Sequence, residues 1–258
     1  MDAFPLFVEA HGPWALLAAA TIFFVAGLAK GAVGFALPMI AISGLGAFLP
    51  AETAIALLIL PALASNLWQS FRTGARAAFG SLWRRRITLL TLLPMIALSA
   101  QLVPALDDRA IFLILGIGVT AFSAAQLAGF RPPPPKRPAL TEAGVGLVAG
   151  FFGGVAGVWG PPILLYLIAL DTPKTEQVRT MGVAFLLGSV VLAGGHLASG
   201  ALNAATIPLS VAMIAPVMVG MALGLALHDR MNAGAFRRAT LAVLVLAGLN
   251  LLRRALTL

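Results

Sequence analysis

The chain has no cysteine, a single tyrosine and few charges: 10% of its 258 residues are Asp, Glu, Lys or Arg, against about 25% in ordinary soluble domains. Without cysteine there are no disulfides, no thiolate metal ligands and no thiol nucleophile. No HExxH pair occurs, and the acidic residues cluster at the ends of apolar stretches instead of pairing inside them, so an intramembrane enzyme lacks its expected chemistry. With 60% hydrophobic residues, the chain also lacks the polar surface that a water-soluble fold of this size needs.

What is present is a series of apolar stretches recurring from Trp14 to the C-terminus. Crossing a bilayer takes about 20 such residues. The stretches are continuous and do not alternate, which predicts helices and not a barrel: an all-α, polytopic membrane protein. The first stretch follows Asp2 and Glu9 where a signal peptide would carry basic residues, and is expected to be a retained span. The net charge of +8 is distributed over span ends, which fits the positive-inside rule and a lipid bilayer as partner, with no nucleic acid and no cofactor called for.

Arg131-Pro132-Pro133-Pro134-Pro135-Lys136-Arg137-Pro138 cannot be a span and reads as a stiff polyproline linker, dividing the chain into repeats at 1–130 and 140–258 joined by 131–139. An offset of 123 residues places Gly27 on Gly150, Gly31 on Gly154, Gly34 on Gly157, Pro38 on Pro161 and Pro50 on Pro173 without a gap, the mark of an internal repeat.

Each repeat opens on an apolar segment rich in glycine, Gly27 to Gly34 and Gly150 to Pro162, where an ordinary helix is expected to break. In the second repeat roughly 10 apolar residues lie on either side, enough to reach about halfway across the bilayer core, so a re-entrant or broken hairpin is expected. Longer stretches follow near 53–71, 87–104 and 110–129, then 180–199, 206–227 and 239–252. Arg72, Arg76, Arg84, Arg85 and Arg86, the linker, and Arg230, Arg237 and Arg238 mark cytoplasmic loops; the loop with Asp107 and Asp108 then lies outside. If each hairpin returns to the side it entered, the second repeat is inverted relative to the first, a frequent transporter plan that puts Arg253 and Arg254 outside. A straight four-plus-four set of spans is the competing arrangement.

The duplicated glycine-rich break followed by proline, the Pro61-Ala62-Leu63-Ala64-Ser65-Asn66 stretch and the Gln177-Val178-Arg179-Thr180 start of a later span resemble the TauE/SafE family of sulfite and sulfonate exporters over essentially the whole chain. That resemblance implies an inner-membrane permease of a bacterium for anions such as sulfite, sulfoacetate or related carboxylates and sulfonates. One departure is Lys30, where the second repeat has Gly153.

Helix N-termini present unpaired N–H groups and a positive dipole end, so two broken helices meeting near mid-membrane bind an anion with few side chains. On that ground Gly31, Gly34 and Pro38 of the first break and Gly154, Gly157, Gly160 and Pro161 of the second are candidate substrate-binding residues. The alternative for the paired glycines is close helix packing of the GxxxG kind. Lys30 is a candidate anion partner because an ammonium in hydrocarbon costs at least about 3 kcal/mol, unless it reaches a headgroup. Arg179 matches a sulfonate bidentately or anchors a span end. Asn66 and Gln69, one helical turn apart, offer neutral donors to substrate or hydrogen-bond between helices. Trp159, Trp68 and Tyr166 line a cavity or sit at an interface. His196, inside an apolar stretch, either couples a proton or packs as a satisfied core residue. A passive anion channel built on the same breaks is the competing function.

Overall fold

The computed structural model describes residues 3–72, 74–228 and 233–257. Helix α1 (Ala3–His11) leads into α2 (Pro13–Val33), which a proline opens and Gly34 closes in the left-handed region at φ 83°. After a short break come α3 (Leu37–Leu45), α4 (Ala51–Phe71), α5 (Ala75–Arg84), α6 (Arg86–Ala100) with a 3-10 turn at Val103–Ala105, and α7 (Asp108–Leu127). Beyond the proline-rich segment lie α8 (Pro138–Ala156), α9 (Gly160–Ala169), α10 (Lys174–Ala198), α11 (Ile207–Ala212), α12 (Ile214–His228) and α13 (Ala233–Thr257). Among the described residues there is no strand, and eight helical segments are long and apolar enough to cross a membrane: α2, α4, α6 with its turn, α7, α8, α10, α11 with α12, and most of α13. The protein is therefore an all-α, multi-pass membrane protein. Leu17, Leu90, Leu98 and Leu246 on its outer surface are exposed because lipid, not water, is their solvent. Arg230 and the side chain of Arg237 lie outside the described residues.

Both glycine-rich segments do break the helix, but at one glycine each, late in the segment. Gly27 and Gly31 lie inside α2, and Gly150, Gly153 and Gly154 inside α8; the helices end only at Gly34 and Gly157. The first arms are thus 21 and 19 residues, long enough to span, and only the returning arms, α3 and α9, are short at 9 and 10 residues. The physical reason is close packing. Glycine costs about 1 kcal/mol against alanine inside a helix, but its missing Cβ lets two backbones touch. A Cβ on Gly27 or Gly31 would fall 2.3 Å from the carbonyl oxygen of Val217 or Met221 on α12, and one on Gly220 or Gly224 would fall 2.1 Å from Phe24 or Leu28 on α2. On α8, Gly150 and Gly154 meet the α6 carbonyls of Leu92 and Ile96 in the same way, at 2.7 and 2.4 Å. The pairs α2 with α12 and α8 with α6 are thus built alike.

Both short arms double back along the helix before them. Gly44 of α3 lies against Ile22 of α2, and Phe48, just past α3, packs at a tilt on Trp14 at 5.0 Å between ring centroids. Tyr166 of α9 reaches Pro138 O and Glu142 Oε2 near the start of α8, each at 3.4 Å. One end of the bundle carries the arginine-rich segment: Arg84 pairs with Glu176 at 2.9 Å and Arg179 Nε donates to Ser81 Oγ at 2.9 Å, tying α5 to the start of α10. At the other end Ala51 N donates to Asp108 Oδ1 and Gln101 Nε2 to Gly195 O. Arg254 lies at that second end, its guanidinium 4.8 Å from the Phe112 ring centroid.

Pro61 sits within α4 and leaves the Leu57 carbonyl without its helical donor. Ser210 of α11 repairs this: its hydroxyl donates to Leu57 O at 3.0 Å and accepts from Leu60 N at 3.2 Å. In hydrocarbon an unmet backbone group costs several kcal/mol, so this contact also fixes α11 against α4.

Candidate functional site

The two helix breaks meet at one place. Gly34 (φ 83°) and Gly157 (φ 69°) each turn the chain in a conformation that side chains resist, each donating its N–H to the carbonyl four residues back, Lys30 O and Gly153 O, at 2.7 Å. Ala36 is also left-handed at φ 79°, a strain of about 1–2 kcal/mol for a residue with a Cβ, held by the packing around it. From these turns α3 and α9 start with Pro38 and with Pro161 and Pro162, residues that need no donor partner at a first turn. Neither helix has a side-chain cap, and residues of both first turns line the space between them.

Lys30, Pro38 and Asn66 from the first part of the chain line that space together with Gly157, Trp159, Gly160 and Pro161 from the second. The cavity is about 20 Å³, room for little more than one water molecule. Lys30, 2% exposed, donates to Ser65 Oγ at 2.9 Å and makes a short hydrogen bond to Asn66 Oδ1. Both acceptors are neutral, and among the described residues no carboxylate pairs with this ammonium. Asn66 continues the network: its Nδ2 donates to Phe185 O at 3.1 Å and to Ser189 Oγ at 2.7 Å. Asn66 and Ser189, in contact here, are separated by the same 123 residues as Gly34 and Gly157.

The cavity is asymmetric in chemistry. Where the first repeat has Lys30, Ser65 and Ala36, the second has Gly153, Gly188 and Trp159. The Trp159 indole fills the room left by those two glycines, lying where Cβ atoms on Gly153 and Gly188 would be 2.7 and 3.3 Å from it. A cation and an indole thus line the same cavity, and Trp159 is held by an edge-on contact with Phe185 at 5.9 Å.

Other candidates from the sequence lie elsewhere. Gly31 and Gly154 are at the helix crossings described above, the packing alternative. Gln69 stands beside the cavity: its Nε2 bridges Gly34 O and Val178 O at 2.9 and 3.1 Å, binding α4 to the first break and to α10. Arg179 is at the arginine-rich end with Ser81. His196 is fully buried toward the other end, its Nε2 3.3 Å from Gly154 O. Trp68 is partly exposed, and Tyr166 belongs to the Glu142 network. Sequence reasoning missed Ser189, Phe185 and Ala62. Ser189 was within reach, since carrying the 123-residue offset on from Asn66 leads to it.

A bundle of membrane-spanning helices with two hairpins whose breaks line a cavity holding a buried cation fits a membrane transport protein. The family model described as Sulfite exporter TauE/SafE matches residues 19–251, and the chain belongs to that family. Neither the comparison with curated proteins nor that with solved structures gave a match.

Proposed function

We propose that the protein exports a small anion, sulfite or a related organosulfonate or carboxylate, across a bacterial inner membrane, binding it between the two hairpin breaks. The observation that carries this reading is Lys30: a buried lysine on a cavity wall, bonded among the described residues to the neutral Ser65 and Asn66, with two helix N-termini that lack side-chain caps lining the same space. Three positive features and no countercharge make a site for a guest that brings a negative charge. The small cavity corresponds to a closed state, and a carrier that opens to admit its substrate accounts for it better than a standing channel. The test is a thermal-shift screen of purified protein against sulfite, sulfoacetate, taurine and oxalate. A ligand that binds only the folded state raises the melting temperature, so sulfite or a sulfonate should do so, and no response to any anion would sink the reading.

Repeats at 1–130 and 140–258, joined by 131–139 and inverted relative to one another, are the plan that fits the doubled-back hairpins and the matched pairs α2 with α12 and α8 with α6. It puts the arginine-rich loop and the proline-rich segment together on the cytoplasmic side. In this cysteine-free chain, cysteines placed at Gly80, which has open space around it, and at Pro134 should resist an impermeant thiol reagent in intact cells and react after lysis. Ready labelling of either from outside would overturn the plan.

Export of an anion from an inside-negative cell is downhill by about 2.3 kcal/mol per charge per 100 mV, so a facilitator needs no second ion. Vesicles loaded with sulfite should therefore release it faster when the interior is made negative, and His196→Gln should keep most of that flux. Release that ignores the potential, follows a pH gradient and vanishes in the His196 variant would favour proton coupling instead.

A further inference from the structure

We propose that a second anion subsite lies at the arginine-rich end of the bundle, in the pocket between α5, α6, α9 and α10, with Arg85 and Thr180 as its recognition side chains; the proposal rests on the anion-transport reading. Arg85 stands between α5 and α6 with its guanidinium carbon 5.6 Å from the Tyr166 ring centroid on α9, and its Nε is buried without a hydrogen-bond partner. Thr180 on α10 is 5% exposed, and its Oγ1 is buried and unpartnered as well. Both side chains line one pocket of about 10 Å³. A buried polar atom left unmet costs about 1–3 kcal/mol, so a guest that accepts from both is stabilised there, and as in the central cavity the pocket has to open to admit it. An arginine Nε–H and a hydroxyl are both donors to an oxyanion.

The surrounding charges are of both signs, the guanidiniums of Arg84, Arg85 and Arg179 standing against the carboxylates of Glu142 and Glu176. Glu142 on α8 faces the pocket region with its oxygens engaged: Oε1 accepts from Thr88 N and Oγ1 at 3.2 and 3.1 Å, and Oε2 from the Tyr166 hydroxyl at 3.4 Å. Arg84 is paired with Glu176, and Arg179 adds a second guanidinium through Ser81, itself on the pocket wall. The place in the fold fits a stop on the substrate path. Ala184 lines this pocket and its neighbour Phe185 lines the central cavity; Ile163 here is three residues from Gly160 there. An anion arriving at the arginine-rich end meets Arg85 first and reaches Lys30 by passing between α9 and α10.

The experiment is equilibrium dialysis of the purified full chain in detergent with radiolabelled sulfite, reading sites per chain. Wild type is expected to bind two. Arg85→Gln and Lys30→Met should each bind one, and Thr180→Val should weaken one of the two sites roughly tenfold, while Thr180→Ser, which restores the hydroxyl, binds as wild type. Thr180→Val is nearly isosteric and carries the test if Arg85→Gln does not fold. One site in wild type that disappears in Lys30→Met and survives in Arg85→Gln and Thr180→Val overturns the second subsite and leaves the central one standing. One site that disappears in Arg85→Gln and survives in Lys30→Met supports the subsite and removes the central one. No sulfite bound to wild type overturns both.

Discussion

Lys30→Met is expected to weaken anion binding by roughly 10- to 100-fold while leaving the protein folded. A hydrogen bond to a charged group contributes about 1.5–3 kcal/mol, which converts to that range of affinity. Methionine keeps the length of the side chain and drops its charge. Most of the network survives the change: Ser65 Oγ still donates to Ala62 O at 3.0 Å, and Asn66 Nδ2 still donates to Phe185 O and Ser189 Oγ. Asn66 Oδ1 and Ser65 Oγ lose the Lys30 donor, Ser65 keeping its own bond to Ala62 O, and removal of an uncompensated ammonium from a buried position works in the opposite direction. The ligand-free melting temperature should therefore stay level or rise, while the shift produced by sulfite shrinks. A Lys30→Met protein that transports with unchanged KM would show that the anion is held elsewhere.

The second large effect separates two kinds of glycine. Gly31→Ala and Gly154→Ala should sharply reduce the yield of folded protein, because the new methyl would lie 2.3 Å from Met221 O or 2.4 Å from Ile96 O and a backbone has to move. Overpacking of this kind costs about 1–3 kcal/mol and sometimes more. At Gly34 and Gly157 the nearest atoms to an added Cβ are side-chain methyls of Val178 and Leu58, both at 3.1 Å, and the cost is mainly the left-handed backbone, about 1–2 kcal/mol. Gly34→Ala and Gly157→Ala should fold. Gly157→Leu, which would push a bulky group into the cavity wall, should abolish flux while some folded protein remains in the membrane. Folded yield by fluorescence-detected size exclusion, set beside flux in vesicles, distinguishes the classes; normal yield for Gly31→Ala would mean that α2 and α12 do not approach so closely.

These results bear on how a membrane chain is read. Lys30, Asn66 and Trp159 could be singled out because a charge, an amide and an indole are conspicuous in apolar stretches, and each lines the cavity. Gly31 and Gly154 were conspicuous for the same reason as Gly157, yet they lie at helix crossings. Glycine in a sequence signals an absent side chain, and that absence serves a close crossing and a left-handed turn equally well. Which one applies depends on the neighbouring helix, and α12 is nearly two hundred residues away from Gly31.

By itself the sequence determined the all-helical membrane class, the positions of most spans and the family, because these follow from length, apolarity and motif order along one chain. Only the tertiary structure decided that the first arms of both hairpins are full-length, that Ser210 answers the carbonyl freed by Pro61, and that Trp159 fills the room left by Gly153 and Gly188. Those facts depend on which surfaces meet. In a chain whose spans are all apolar, shape and a few polar contacts select the partners, and hydrophobicity, the strongest signal in the sequence, does not distinguish one neighbouring helix from another.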